Sequence, residues 1–526
     1  EAEEATMING RVVTAIVLRR SMSTALGRIV GGLVVGLVLS FPWPTPADLL
    51  PPLTPASIRT HHEALVAIST RAGGLESGIR LNQAGGEAAE YLRRGYETAG
   101  LRNVRLEEFH PNRWWPEAYE LTLLGNGGGS EDVPIGAFPL WHCEGADNLE
   151  LEVVHVGFGT SGEFRGVDVK GKAVLVEMKR ILHFIASHRY TDALERAREK
   201  GAAAVILAET RVDSPNGNPV GSAGKIEAGK AKTAELFPLP VFSIGKSDGQ
   251  KLRARLDAGP IRVRMNLAYS LGPTRAVNVV GELPGNGKID EYVVVGGHYD
   301  SWFDGAIDNL GSQASLLEMA RHFASVPRDR RDRTLIFVSI FGHELGNDEM
   351  GHAAFVQQHP ELRGKITCFV NIDGSGSWGW EEKGDSGEIL PTGREDKGGI
   401  FATSWALAAI AHEAVYAHAE GSWGQYPLNS LVADLQGPIG DSGYPCLLLI
   451  SKHIYYHSTL DTLDRIAPEQ VYRRTLMNIQ VIQDILDSAE GYLTGVDTNP
   501  NRAPGSADTR QTDLSPDDLP ANPRPW

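Results

Sequence analysis

Residues 292–309, YVVVGGHYDSWFDGAIDN, decide the fold: an apolar run and two glycines lead into His298, Asp300 and Asp308. A strand that is apolar at every position is buried on both faces, as in a parallel sheet covered by helices. The texture recurs at TLIFVSIFG (334–342), KITCFVNID (365–373) and CLLLIS (446–451). Helical spacing separates these runs at SQASLLEMARHFA (312–324) and FATSWALAAIAHEAVYAHA (401–419), and a last helix is expected from Pro468 to Glu490. The fold class is therefore α/β, a mixed but mostly parallel sheet sandwiched by helices.

Upstream, Thr54 to Gly100 is helical in pattern, with Ile58, Leu65, Val66 and Ile68, then Ala88, Tyr91, Leu92 and Tyr96. RNVRLEEFHPNRWWPEAYELTLLG (102–125) reads as strands leading to a domain edge. From 149 to 271 the texture changes to short strands, glycine turns and one helix. The expected division is a terminal region 1–50, a catalytic domain in two parts (51–148 and 272–492), an inserted module (149–271) and a tail from 493 to 526. That tail has many prolines and almost no apolar residues, the composition of a disordered segment. At the other end, Arg19, Arg20 and Arg28 precede the uncharged run Ile29–Phe41 and then PWPTPA, with Met7 and Met22 as candidate starts. This is the order of a signal peptide, with an uncleaved membrane anchor as the alternative, and it predicts a secreted or periplasmic protein. A membrane contact is expected only in the anchored case; the oligomeric state is left open.

The chain has 526 residues, 42% hydrophobic and 22% charged, as in a soluble globular protein of more than one domain. A net charge of −16, with no concentrated Lys and Arg, excludes a nucleic-acid partner. Three scattered cysteines, Cys143, Cys368 and Cys446, are too few for a disulfide framework and read as small buried apolar residues.

Ligands of an open α/β sheet bind beyond the carboxyl ends of its strands. His298, Asp300, His343, Glu344, Asp373 and His457 all fall there, and Asp308 sits ahead of the first helix of this half. Taken singly, each has a bland reading as an N-cap or a structural histidine. Clustered carboxylates, however, repel one another unless protons or cations compensate. His298 and His457 with Asp308, Glu344 and Asp373 form a nitrogen and oxygen set suited to zinc, with manganese or cobalt as substitutes. Two ions about 3.5–4 Å apart with Asp308 as bridge would polarise a carbonyl and present a hydroxide to it. Asp300, two residues beyond His298, is placed to accept the other imidazole N–H.

HYDSWxxGAxDN (298–309), the Glu344 block, NxD (371–373) and YHSxxDT (456–462) resemble the co-catalytic zinc exopeptidases, the family of aminopeptidase Y, plasma glutamate carboxypeptidase and glutamate carboxypeptidase II. The resemblance spans about Thr54 to Tyr492, and residues 151–180, 195–209 and 237–252 resemble the protease-associated domain, read as a lid or substrate-selecting insert. It implies a two-zinc hydrolase of peptide or small amide bonds acting by metal-hydroxide attack. His298, Asp308 and Asp373 would hold one ion, Asp308, Glu344 and His457 the other, and Tyr456 would steady the oxyanion. Where most of the family has Glu-Glu, this chain has His343-Glu344, so the resemblance puts His343 in the place of the general base. Three alternatives stay open here. His343 binds metal; or Glu344 is the base, with Asp348, Glu349 or His352 as ligand; or the chain is a non-catalytic binding homologue. A glutaminyl cyclase is a fourth reading, opposed by the full ligand set. His343-Glu344 is not a His-Glu-x-x-His helix, because residue 347 is asparagine.

Overall fold

The computed structural model describes residues 53–493 apart from 126–130, 179, 183–184, 187–189, 228, 347–349, 384–387, 421, 426–441 and 452, and two short strands, Thr6–Ile8 and Arg11–Val13, of a separate unit spanning Glu1–Leu49. The segment 29–47, the tail beyond Leu493 and the candidate ligands Asp348 and Glu349 lie outside the described residues. Among the described residues, no helix is long and apolar enough to cross a membrane.

The central sheet comprises β1 (Arg102–Phe109), β2 (Ala276–Leu283), β3 (Tyr292–His298), β4 (Thr334–Ile340), β5 (Ile366–Asp373), β6 (Gly398–Ala402), β7 (Ser422–Gln425) and β8 (Cys446–Ser451), in the order β7-β6-β8-β5-β3-β4-β2-β1. Strands β8, β5, β3 and β4 are parallel, whereas β2 runs antiparallel to β4 and to β1. The register pairs His298 with Ile340 and Asp373 with Ile450, so the carboxyl ends of the four parallel strands meet at one edge. Side chains alternate between faces along a strand. Val293 and Val295 join the larger core, while Val294 faces a second core with Ile336, Val338, Phe355 and Phe369. Helices cover both faces, as the unbroken apolar runs require. All three cysteines are buried free thiols, and burial pushes Cys143 up to about 12.

Between β1 and β2 the chain leaves the central sheet and returns to it. Phe109 pairs with Ala276 in the central sheet, and three residues further out Asn112 pairs with Pro273 in a second sheet. A long antiparallel ribbon thus carries the insert. The second sheet begins well before residue 149: it orders Val133–Ile135, Asn112–Leu123, Arg262–Pro273, Ala146–His155, Ala173–Met178, Ala204–Glu209, Val241–Ile244 and Ala137–Pro139. The early strands are hard to separate from the first domain by texture alone, because the ribbon is one continuous pair of strands crossing from sheet to sheet. Among the described residues, two helices, Tyr190–Glu199 and Lys246–Ala258, accompany this sheet where the glycine-rich texture suggests one.

Candidate metal centre

Each candidate ligand is held by a specific brace. His298 ends β3, and the Gln313 side-chain amide donates to the carbonyls of Gly297 and His298, both at 2.8 Å. Asp308 sits in the buried turn Ala306–Leu310. There the Asp461 carboxylate accepts the N–H of Ile307 at 2.7 Å and of Asp308 at 3.0 Å, and the His62 ring donates to the Ala306 carbonyl at 2.6 Å. Asp373 ends β5, where Asn309 donates to the Ile372 carbonyl at 3.0 Å and accepts the Gly374 N–H at 2.8 Å. Glu344 follows β4 in a turn whose N–H groups at His343 and Glu344 donate to the two Asp300 carboxylate oxygens at 3.3 and 2.8 Å. His457 lies in the loop after β8 with a positive φ of 54°, and its ring is buried.

The side chains converge. His298 Nε2 is 3.2 Å from Asp308 Oδ1, 3.5 Å from Asp373 Oδ1 and 3.9 Å from Glu344 Oε1. His457 Nε2 is 2.6 Å from Glu344 Oε2 and 3.5 Å from Asp308 Oδ2. Asp308 thus offers one oxygen to each histidine. Two groups of three follow, His298–Asp308–Asp373 and Asp308–Glu344–His457, each with its ligand atoms within 4.8 Å of one another and all five residues buried.

Three buried carboxylates gathered around two histidines oppose one another, since both burial and like charge penalise ionisation. Burial, followed by the Asp308 charge, raises the Glu344 carboxyl although His457 pulls the other way. Asp308 is held low because its bond to His298 and the positive field of His298, His457 and His453 outweigh its burial. Its Oδ2 is nonetheless buried without a hydrogen bond. Divalent cations held by these groups would answer both features, and the nitrogen and oxygen donors match zinc. Burial, then the Glu344, Asp308 and Asp373 charges, raises the Tyr456 hydroxyl well above 10, so it remains a donor at neutral pH.

The structure brings all eight expected site residues together, with differences in detail. The His298 Nδ1–H donates to the Asp300 main-chain carbonyl at 3.0 Å, while the Asp300 carboxylate, expected as the acceptor, is 3.6 Å away. That carboxylate is taken up by the His343 and Glu344 N–H groups, so Asp300 braces the opposite ligand loop. His343 is part-exposed where the ligands are buried, and its ring centroid lies 4.6 Å from that of His298. A third group, His298–His343–Glu344, keeps His343 within reach of a metal. His352, the other alternative ligand, packs edge-on against His343 at 6.0 Å. The Tyr456 ring stacks on His457 at 3.5 Å.

Several contributors carry little or no signal in the sequence, among them Asp461, Asn218 and His142. Asp461 falls inside the quoted YHSxxDT block, and its buried brace on the Asp308 turn was signalled only by its place three residues past Ser458. The insert, read as a lid without chemistry of its own, supplies Asn218, whose Oδ1 accepts the His457 Nδ1–H at 3.1 Å, and His142, whose Nε2–H donates to the Leu345 carbonyl at 2.9 Å. Neither residue carries a periodic or spaced signal.

Residues 278–482 match the model of peptidase family M28, and residues 143–252 match the PA domain. The chain is similar to a glutamate carboxypeptidase 2 homolog of Caenorhabditis elegans, 25% identical over 301 residues, 44% of this chain and 38% of that protein. It is also similar to aminopeptidase YwaD of Bacillus subtilis, 28% identical over 306 residues, 56% of this chain and 59% of that one. The matches therefore span 38% and 59% of those relatives, less than two thirds of either. Among solved structures, a peptidase M28 precursor from Shewanella amazonensis superposes with a TM-score of 0.61 at 18% identity, covering 83% of this chain and 98% of that one. A zinc aminopeptidase from Bacillus subtilis gives 0.58 at 19%, covering 81% and 94%. At such identities the likeness is one of fold.

Proposed function

From the premise that this chain carries a peptidase family M28 domain with a PA domain inserted ahead of it, we propose that it is an exopeptidase-type metallohydrolase of peptide or small amide bonds, working with two zinc ions. The observation that carries this reading is the shared ligand: Asp308 turns one oxygen to His298 and the other to His457. His298, Asp308 and Asp373 would hold one ion and Asp308, Glu344 and His457 the other. Zinc bound there would polarise the scissile carbonyl and lower the pKa of the attacking water.

The protein's own groups do the rest. His343, part-exposed beside the ligands, takes the proton of the attacking water and returns it to the leaving amine. Tyr456, protonated at neutral pH and stacked on His457, donates to the developing oxyanion. Asp300 holds the His343–Glu344 turn through two backbone bonds, so base and ligand move as one unit. Export to the periplasm or the medium fits the arginines and apolar run of residues 19–41. The relatives include both an aminopeptidase and a carboxypeptidase, so both substrate types enter the test.

A panel of aminoacyl and N-acylated chromogenic amides, assayed with the zinc-loaded protein before and after chelation, tests the reading. Turnover that is lost to chelator and restored by zinc is expected; absence of turnover with both substrate types from fully loaded protein contradicts it.

A further inference from the structure

The insert reaches the His457 side of the candidate metal centre through a short loop, Ser214-Pro-Asn-Gly-Asn218. Asn216 forms an antiparallel bridge with Ser458, and its side chain donates to the Tyr456 carbonyl at 3.2 Å. Gly217 N–H donates to the His457 carbonyl at 2.9 Å, and Thr459 N–H to the Ser214 hydroxyl, also at 2.9 Å. Gly217 is needed here because its backbone presses on the Trp302 indole, where a Cβ would come within 2.4 Å of the ring. The loop is thus fixed on both sides of His457.

Asn218 completes the contact. Its side-chain N–H donates to the Asn216 side-chain oxygen, which fixes which way the amide faces. The carbonyl oxygen is left to accept the His457 Nδ1–H at 3.1 Å. With the proton on Nδ1, the Nε2 lone pair points at Glu344 and Asp308. The second ligand on this side is steadied from the same module, by His142 on the Leu345 carbonyl.

We propose that the inserted domain is a structural part of the metal centre, in which Asn218 is a positioning residue that sets the tautomer and aim of His457 for the ion shared by Asp308, Glu344 and His457. The inference rests on the two-ion reading above. Outer partners of ligating histidines govern metal affinity by about 10–100-fold. The ion on the His298–Asp373 side has its histidine oriented by the Asp300 carbonyl, within the central domain, and is not affected.

The test is zinc binding to the full-length apoprotein, followed by competition with a chromogenic chelator and by elemental analysis, so that catalysis is not the readout. Asn218→Leu, similar in volume but unable to accept the N–H, is expected to bind one ion as wild type does and the other about 10–100-fold more weakly. Asn218→Asp keeps the acceptor and is expected to hold both. Ser214→Ala, which loosens the loop without removing the acceptor, is expected to hold both as well. Wild-type affinity for both ions in Asn218→Leu would overturn the proposal, as would equal weakening in Asn218→Asp, since that would mean packing rather than acceptor chemistry. A wild-type protein that binds fewer than two ions overturns the two-ion reading and this inference with it, and is told apart by occurring before any substitution.

Discussion

The two halves of the candidate metal centre offer the same donors, one imidazole and two carboxylates, and have different support. On one side His298 and Asp373 stand at the ends of adjacent parallel strands, and the groups that brace them, Gln313, Asn309 and the Asp300 carbonyl, all belong to the central domain. On the other, Glu344 and His457 stand in loops, and part of their support comes from the insert through His142 and Asn218. Strand ends are positioned by the sheet's ladder, whereas a loop ligand takes its aim from whatever packs on it. The first half is therefore expected to be the more robust, and the second to depend on the docking of the inserted domain.

The largest effect should come from the residue common to both halves. Asp308→Ala is expected to lose both proposed ions and to lower turnover by at least about 10³-fold, measured by elemental analysis and a chromogenic assay, because such ions would supply several kcal/mol of transition-state stabilisation. Retention of one ion at full affinity would show that the halves are independent. His343→Ala should reduce turnover by about 10²–10⁴-fold with metal content unchanged. Equal loss of metal and activity would make His343 a ligand and break the assignment of its role.

Asp300 offers a finer probe, since its carbonyl serves one half and its carboxylate the other. Asp300→Ala keeps the carbonyl but removes the carboxylate that accepts the buried Glu344 N–H and the part-buried His343 N–H, which should destabilise the fold by about 1–3 kcal/mol in urea titrations. Any accompanying loss of metal should fall on the Glu344 side.

Acid should also distinguish the two supports. His62, on the Asp308 turn, and His142, in the insert, are neutral donors whose pKa values burial lowers from 6.5 to about 4. In the unfolded chain both take up protons near 6.5, so stability present above that pH declines as pH falls from about 6.5 to 4, by up to about 3 kcal/mol for each. His142→Gln, which keeps a donor, should flatten that decline without changing the His62 share; an unchanged pH profile in denaturant titrations would contradict the burial argument.

Much of the central domain was legible because its signals are local. The apolar strands at 292–297, 334–340, 366–372 and 446–450 can be buried on both faces only in a covered parallel sheet, and that sheet in turn puts 298, 344, 373 and 457 at one edge. The unread parts depend on contacts distant in sequence. Asn218 meets His457 across 239 positions and His142 meets Leu345 across 203, and no periodicity records such pairs. The ribbon that carries the insert escaped for a related reason: the pairs Phe109–Ala276 and Asn112–Pro273 belong to different sheets while the strands between them barely pause. Proximity in sequence pairs the Asp300 carboxylate with His298, yet two N–H groups from another strand end compete for it and prevail.

The central claim is a pair of zinc ions bridged by Asp308, and anomalous diffraction from crystals of the zinc-loaded protein, recorded at the zinc edge, tests it directly. The account predicts two peaks about 3.5–4 Å apart, one among His298, Asp308 and Asp373 and the other among Asp308, Glu344 and His457. A single peak, or a second peak ligated by His343 in place of His457, would contradict it.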